Sequence, residues 1–282
     1  MFSKLIKNFR VSHKLSQSEF VAMLQESSEN FQHIDTVTLS RWERGITKPH
    51  LSRQNEMLSM LGIDVFDIWN EKIDYGKFSK INTHGYLNLS SNDDLKITKI
   101  SSANLHVLSE YKYEIDLIFS FEKNSILSSK SNNYLSNIDL LGMLMDKHFG
   151  ELMLVSFMGQ LIGHSLSFSS SIFRGSEFFD DDFLEGVPFV LVSFNVVNEY
   201  ALFPTIGREI YKYLHTANAY GDFFVLVNNK RNFDFLFDLK FKYRTMAIDG
   251  VKSKIMSISG GDIKSSRMWL GIISRFKDGE NV

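Results

Sequence analysis

The chain has 282 residues, 44% hydrophobic and 23% charged, which exceeds the usual size of one domain and suits a folded protein with sizeable cores. It contains no cysteine, so disulfides, thiolate metal sites and cysteine nucleophiles are excluded, and no apolar run reaches the ~18 residues of a membrane span. The net charge of −2 excludes a molecule basic all over, and residues 1–60, with eight bases against six acids, are only weakly basic.

The opening MFSKLIKNFRVSHKLSQ lacks the apolar stretch and small-residue cleavage site of a secretory signal, and the chain reads as cytoplasmic. Residues 4–14 read as a short amphipathic helix with Leu5, Ile6 and Phe9 on its apolar face. Ser16-Gln17-Ser18-Glu19 has capping-box spacing and opens a second helix that buries Phe20, Val21 and Leu24. Residues 26–35 are polar and read as a connecting turn. A third helix is expected from Thr36 to Arg44, with Leu39 and Trp42 inward and Gly45 as a left-handed cap. A fourth, from about Ser52 to Leu61, carries Met57, Leu58 and Leu61 and stops at Gly62, and Asp64 is placed to cap a last short helix through Trp69.

Polar, turn-rich residues 70–94 read as a linker. From Leu95 to the end the pattern is mixed α/β. Glu151–Ser156 and Gln160–Phe168 alternate around Met158-Gly159 as two paired strands would. Further strands are expected at Pro188–Val197, Phe223–Val227, Lys240–Ile248 and Arg267–Ser274, with helices at Ile206–Thr216 and Asn232–Leu239. The fold class expected is an all-α domain over 1–69 followed by an α/β domain over 95–282.

The segment LSQSEFVAMLQ…DTVTLSRWERGITKPHL…LSMLGI resembles the lambda-repressor-like, Xre-type helix-turn-helix family over residues 4–69, although the turn at 26–35 is about six residues longer than usual. The resemblance implies a sequence-specific, DNA-binding transcription regulator. In such domains the start of the third helix enters the major groove of duplex DNA. The residues that would read base edges are Thr36, Val37, Thr38 and Arg41, with Arg41 suited to guanine and Val37 to a thymine methyl. Gln17 would touch phosphate or adenine, and Arg44 and Lys48 would hold phosphates. Arg10 and Glu43 match positions that form an ion pair, and Trp42 matches a core anchor. The family binds near-palindromic operators as homodimers, so a homodimer is expected here too.

Residues 95–275 look like the GNAT acetyltransferase superfamily, on the hairpin LMLVSFMGQLIGHSLSF at 152–168 and the order of elements that follows. That family cradles the pyrophosphate of acyl-CoA on amides of a glycine-rich turn at a helix N-terminus. The matching stretch here is Leu202-Phe203-Pro204-Thr205-Ile206-Gly207, so Thr205, Ile206 and Gly207 are the candidates for a cofactor contact. Only Gly207 keeps the pattern, and Pro204 has no N–H to offer. Leu236 or Phe237 stands where the family has its tyrosine acid, and Asn195 on the preceding strand is no base. The expectation is a domain that kept the fold and lost the reaction, binds no cofactor, and senses a small molecule in the cleft between split strands or joins the dimer. The alternative is a bifunctional N-acetyltransferase that also binds DNA. The acidic run Glu177, Asp180, Asp181, Asp182 and Glu185 reads as a solvated loop. The eight histidines show no metal spacing, and His148 and His164 read as surface residues.

Overall fold

The structure is a computed structural model of the whole chain, and the residues described below are 1–63, 65, 94–122, 127, 135–174, 187, 189–197, 199–216, 222–248 and 251–274. The expected linker, the cap at Asp64 with the helix after it, and the acidic run at 177–185 lie almost wholly outside them. The described residues fall into two compact units: residues 1–65 with 261–274, and residues 94–260.

The first unit is helical. α1 spans Phe2–Ser12, α2 Gln17–Ser27, α3 Thr36–Glu43 and α4 Leu51–Met60. Ser16 caps α2 as expected: its hydroxyl accepts from the Glu19 amide at 3.2 Å, and the Glu19 carboxylate accepts from the Ser16 amide at 2.7 Å. α3 ends at Gly45, whose φ of +71° a side chain would strain. Leu24, Leu39 and Met57 from three different helices are completely buried together with Phe20 and Ile6.

The connection from α2 to α3 is not merely a polar turn. A 3₁₀ turn at Glu29–Phe31 buries Phe31 fully, and Ile34 is buried beside it. Glu56 of α4 accepts from Ser28 Oγ and, at 2.9 Å, from Asn30 Nδ2, while Gln25 Nε2 donates to the Ile34 carbonyl at 2.9 Å. Two apolar anchors and these bonds give the long connection a fixed path.

The second unit is a seven-stranded mixed sheet with helices on both faces. Its strands are β1 Leu95–Ser101, β2 Glu151–Phe157, β3 Gln160–Ser169, β4 Phe189–Val196, β5 Asp222–Val227, β6 Lys242–Ile248 and β7 Val251–Ser259. Their order is β1-β2-β3-β4-β5-β7-β6. Every neighbouring pair is antiparallel except β4 and β5, which are parallel and joined at only two register pairs, Val190↔Phe224 and Leu191↔Val225. Met158 and Gly159, both with positive φ, make the tight turn that fits the twist of the β2–β3 hairpin.

Two helices, α5 (Lys112–Phe121) and α6 (Asn137–Lys147), cover one face. They bury Ile115, Ile118, Leu140 and Leu144 against Leu152, Leu154, Leu166 and Val190 of the sheet. The other face carries α7 (Glu199–Leu202), a π-helical turn at Phe203–Gly207 and α8 (Arg208–Leu214). There Tyr213 meets Phe223 at 5.6 Å. α9 (Lys230–Asp238) follows β5 and buries Leu236.

Three expectations are corrected. Arg267–Ser274 is a helix, α11, and not a strand; a short helix α10 (Gly260–Lys264) precedes it. Residues 261–274 group with the helical unit, where the sequence reading had put them with the sheet. The expected helix at Ile206–Thr216 begins earlier, at Glu199, because Pro204 and Gly207 lie within a π turn and do not precede a helix start.

Candidate nucleic-acid interface

α3 presents two chemically different faces. Its inner face buries Leu39, Trp42 and Glu43. On its outer face Val37 is 55% exposed, Arg41 and Arg44 are exposed, and Thr36 and Thr38 are half-buried. Val37, Arg41 and Arg44 stand at i, i+4 and i+7, so they form one row along the helix. Val37 opens this face at the start of the helix, where its side chain meets solvent.

The N-terminus of α3 is fixed by Asp35, whose carboxylate accepts from the Thr38 amide at 2.7 Å. Hydrogen bonds from Thr38 hold that carboxyl below its ordinary value, with Arg41 adding to the effect. Beyond the helix, the chain at Gly45–Lys48 is exposed, and it includes Ile46, a large apolar side chain 61% open to solvent. Sequence reading passed over Ile46; its only signal was an isoleucine lying between the helix and the polar turn Thr47-Lys48-Pro49.

The pose of α3 is set by one carboxylate. Glu43 takes two bonds from Arg10 of α1, Nε to Oε1 at 2.6 Å and Nη2 to Oε2 at 3.0 Å. Its Oε2 also accepts from Gln17 Nε2 of α2 at 2.8 Å, and Arg10 Nη1 donates to the Leu15 carbonyl at 2.9 Å. Burial alone would push the Glu43 carboxyl up, but the bonds from Arg10 and Gln17 and the nearby positive charge outweigh it, and the group lies below its ordinary value. The expected Arg10–Glu43 pair is therefore present. Gln17, half-buried at the start of α2, ties α2 to α3 through its bond to Glu43. Thr36, Val37, Thr38 and Arg41 share α3, Arg44 is its C-cap, and Lys48 is exposed four residues further on.

In the second unit the cofactor candidates are not on a surface. Thr205, Ile206 and Gly207 are all buried inside the π turn. The Thr205 hydroxyl donates back to the Ala201 carbonyl and, at 3.4 Å, to Leu202. Helix precedes this turn and follows it, so its amides are not the free amides of a helix start.

A buried polar chain lies where β4 and β5 part. Ser193 donates to Glu122 Oε1 at 2.8 Å, and Asn228 Nδ2 donates to Glu122 Oε2 at 3.0 Å. His164 Nε2 is 2.8 Å from the same Ser193 oxygen. Since that hydroxyl gives its proton to Glu122, His164 must donate through Nε2, which leaves Nδ1 a buried acceptor with no donor among the described residues. His164 is only 2% exposed, so the reading of a surface histidine is overturned, and its Nε2 partner is Ser193, whereas His148 Nδ1 meets Ser171 at 3.1 Å. Ser193 reaches this face because the β3–β4 register shifts beside it, between Leu166 and Ser167. Past the last β4–β5 pair, α9 takes over the β4 carbonyls: Asn232 Nδ2 bonds to Phe194 O at 2.8 Å and Arg231 Nη2 to Val196 O at 3.1 Å. Residues 122, 164, 193 and 228 are too far apart in sequence for any local motif to have announced them.

No family model, no curated protein and no solved structure matches this chain. Among the described residues no group of side chains has the makings of a metal site, and no helix is long and apolar enough to cross a membrane.

Proposed function

We propose that the chain is a sequence-specific transcription regulator that lays α3 in the major groove of duplex DNA. The observation that carries this reading is the outer row of α3: Val37, Arg41 and Arg44 open to solvent on a helix whose inner face is locked to α1 and α2 through Glu43. A groove admits one helix, and side chains at its start reach the base edges. Thr36, Val37, Thr38 and Arg41 would read sequence, and Arg44 and Lys48 would hold phosphates. Ile46 extends the same exposed edge. The site is near-palindromic and the protein a homodimer, because a unit of this size buries little DNA surface by itself.

The sheet unit has the sensing or dimerising role in this reading, without acetyl transfer. The parallel pair β4–β5, held at two register pairs only, supports the acetyltransferase-like resemblance of split strands. Against chemistry stand the buried π turn where a pyrophosphate cradle would be needed and the α9 side chains already bonded to the β4 carbonyls. Leu236 is buried and cannot carry a proton.

Selection of bound DNA from random duplexes by the full-length protein tests the main claim. A near-palindromic consensus is expected; recovery of no consensus overturns it. Millimolar acetyl-CoA tests the second claim. A ligand at ~100 times its dissociation constant adds ~2.7 kcal/mol of stability, so the melting temperature should stay unchanged here. A rise in that temperature, or acetylation of any amine, makes the protein an enzyme.

A further inference from the structure

Residues 230–254, which supply α9, β6 and the start of β7, carry seven bases against three acids in a chain whose net charge is −2. β6 is the outermost strand, and Lys242, Tyr243, Arg244 and Thr245 are all exposed, so both of its faces meet solvent there. On the face toward α9, Tyr243 meets Phe233 edge-on at 5.1 Å and Phe237 at 6.4 Å, and Phe233 and Phe237 stack at 5.9 Å. Lys254 holds its ammonium 3.9 Å over the Phe233 ring. Phe237 remains 53% and Tyr243 52% exposed.

This surface joins half-exposed aromatic rings to cations on a strand whose outer edge pairs with no other strand among the described residues. Pairing with a second copy along β6 would bring Lys242 and Arg244 against like charges, and charged edge strands resist that pairing. A polymer of unpaired bases on a phosphate backbone meets both features together, since rings stack on bases of any sequence while cations follow the backbone. We propose that the α9–β6–β7 surface binds single-stranded DNA, with bases on Phe237 and Tyr243 and phosphates along Lys240 and Lys254 on that face and along Lys242 and Arg244, which alternate to the other face of β6, around its outer edge. The choice of DNA over RNA rests on the reading of α3; the stacking and charge do not.

Fluorescence anisotropy of a labelled oligodeoxythymidine with the full-length protein over a range of salt tests this. Binding is expected to weaken with salt. Phe237→Ala and Tyr243→Ala should each weaken it about 5-fold or more. Lys242→Gln, Arg244→Gln and Lys254→Gln together should reduce the log–log salt slope by about 2. Because Phe237, Tyr243 and Lys254 all pack on Phe233, their variants should melt somewhat below the parent protein, and each is compared at a temperature where its melting curve shows it folded. Absence of binding, or binding by the aromatic and charge variants equal to that of the parent, overturns the proposal. Equal competition by polyglutamate assigns the surface to an acidic protein instead, and tighter binding of oligouridine assigns it to RNA; each overturns the DNA claim. Duplex binding by Arg41→Ala separates the two readings. Loss there with no effect at Phe237 and Tyr243 sinks this proposal alone, and the reverse sinks the α3 reading alone.

Discussion

Glu43 shows how one buried carboxylate can position a surface it never touches. Because Arg10 and Gln17 both bond to it, the direction of the α3 outer row is fixed by α1 and α2. Arg41 on that row and Lys48 beyond the helix should fail in different ways. Arg41→Ala should cost ~1–3 kcal/mol at one base pair per half-site and relax the preference there, whereas Lys48→Ala should weaken all duplexes alike and flatten the salt dependence. A selected consensus unchanged by Arg41→Ala would show that the register of α3 on DNA is wrong. In the sheet unit, burial holds the His164 imidazole down to about 3, from an ordinary 6.5. Unfolding frees it to take a proton, so its contribution to stability is complete above pH 6.5 and is lost as pH falls from there toward 3. Between pH 6.5 and 5 the loss from this one group is roughly 1–2 kcal/mol, because the slope approaches ~1.4 kcal/mol per pH unit only well below 6.5. Urea titrations at both pH values should show that loss in the parent protein and a clearly smaller one in His164→Gln. Equal losses in the two proteins would mean that His164 is protonated in the folded state.

At the scale of elements, the contact that seats α7 on the sheet is a close approach at Gly163 of β3. A Cβ there would lie 2.6 Å from the Ala201 Cβ and 3.1 Å from the Asn195 carbonyl. Gly163→Ala should therefore destabilise the protein by about 1–3 kcal/mol, and Ala201→Gly in the same chain should restore part of it, a coupling that a double-mutant cycle in denaturant measures. Simple additivity would mean that the strand and helix do not touch there. The elements that were legible in the sequence were those announced by local chemistry. The capping box at Ser16 and the glycines at 45 and 62 bounded α2, α3 and α4, and Met158-Gly159 marked the hairpin. What escaped depended on partners distant in the chain. Residues 26–35 read as polar because two anchors, Phe31 and Ile34, are diluted among hydrophilic residues, of which Ser28 and Asn30 meet Glu56. Arg267–Ser274 read as a strand because a short run with Trp and two Ile has no periodicity to separate a buried strand from a buried helix. Pro204 and Gly207 read as a turn before a helix, and only the packing of 199–214 on the sheet reveals a π turn inside one.

For the molecule as a whole, the helical unit is built from both ends of the chain, and the sheet unit is inserted between them. α11 places Trp269, Leu270, Ile272 and Ile273 at zero exposure, and Asn55 of α4 donates to the Lys264 carbonyl at the end of α10. A fragment of residues 1–69 keeps α1 to α4, yet it lacks these four side chains. Fully burying each large apolar side chain contributes roughly 1.5–3 kcal/mol, as an upper estimate. Their sum rivals the ~5–15 kcal/mol that holds an average domain together. The fragment 1–69 should therefore melt well below the helical unit of the full chain, and its circular dichroism should lack a cooperative transition. A peptide of residues 260–274 added in trans should raise its melting temperature. A shortened chain ending at residue 259 should lose duplex binding although α3 and all of its exposed residues remain. If the fragment melted cooperatively at the temperature of the intact unit, helices α10 and α11 would be an appendage, and the helical unit would be complete without them.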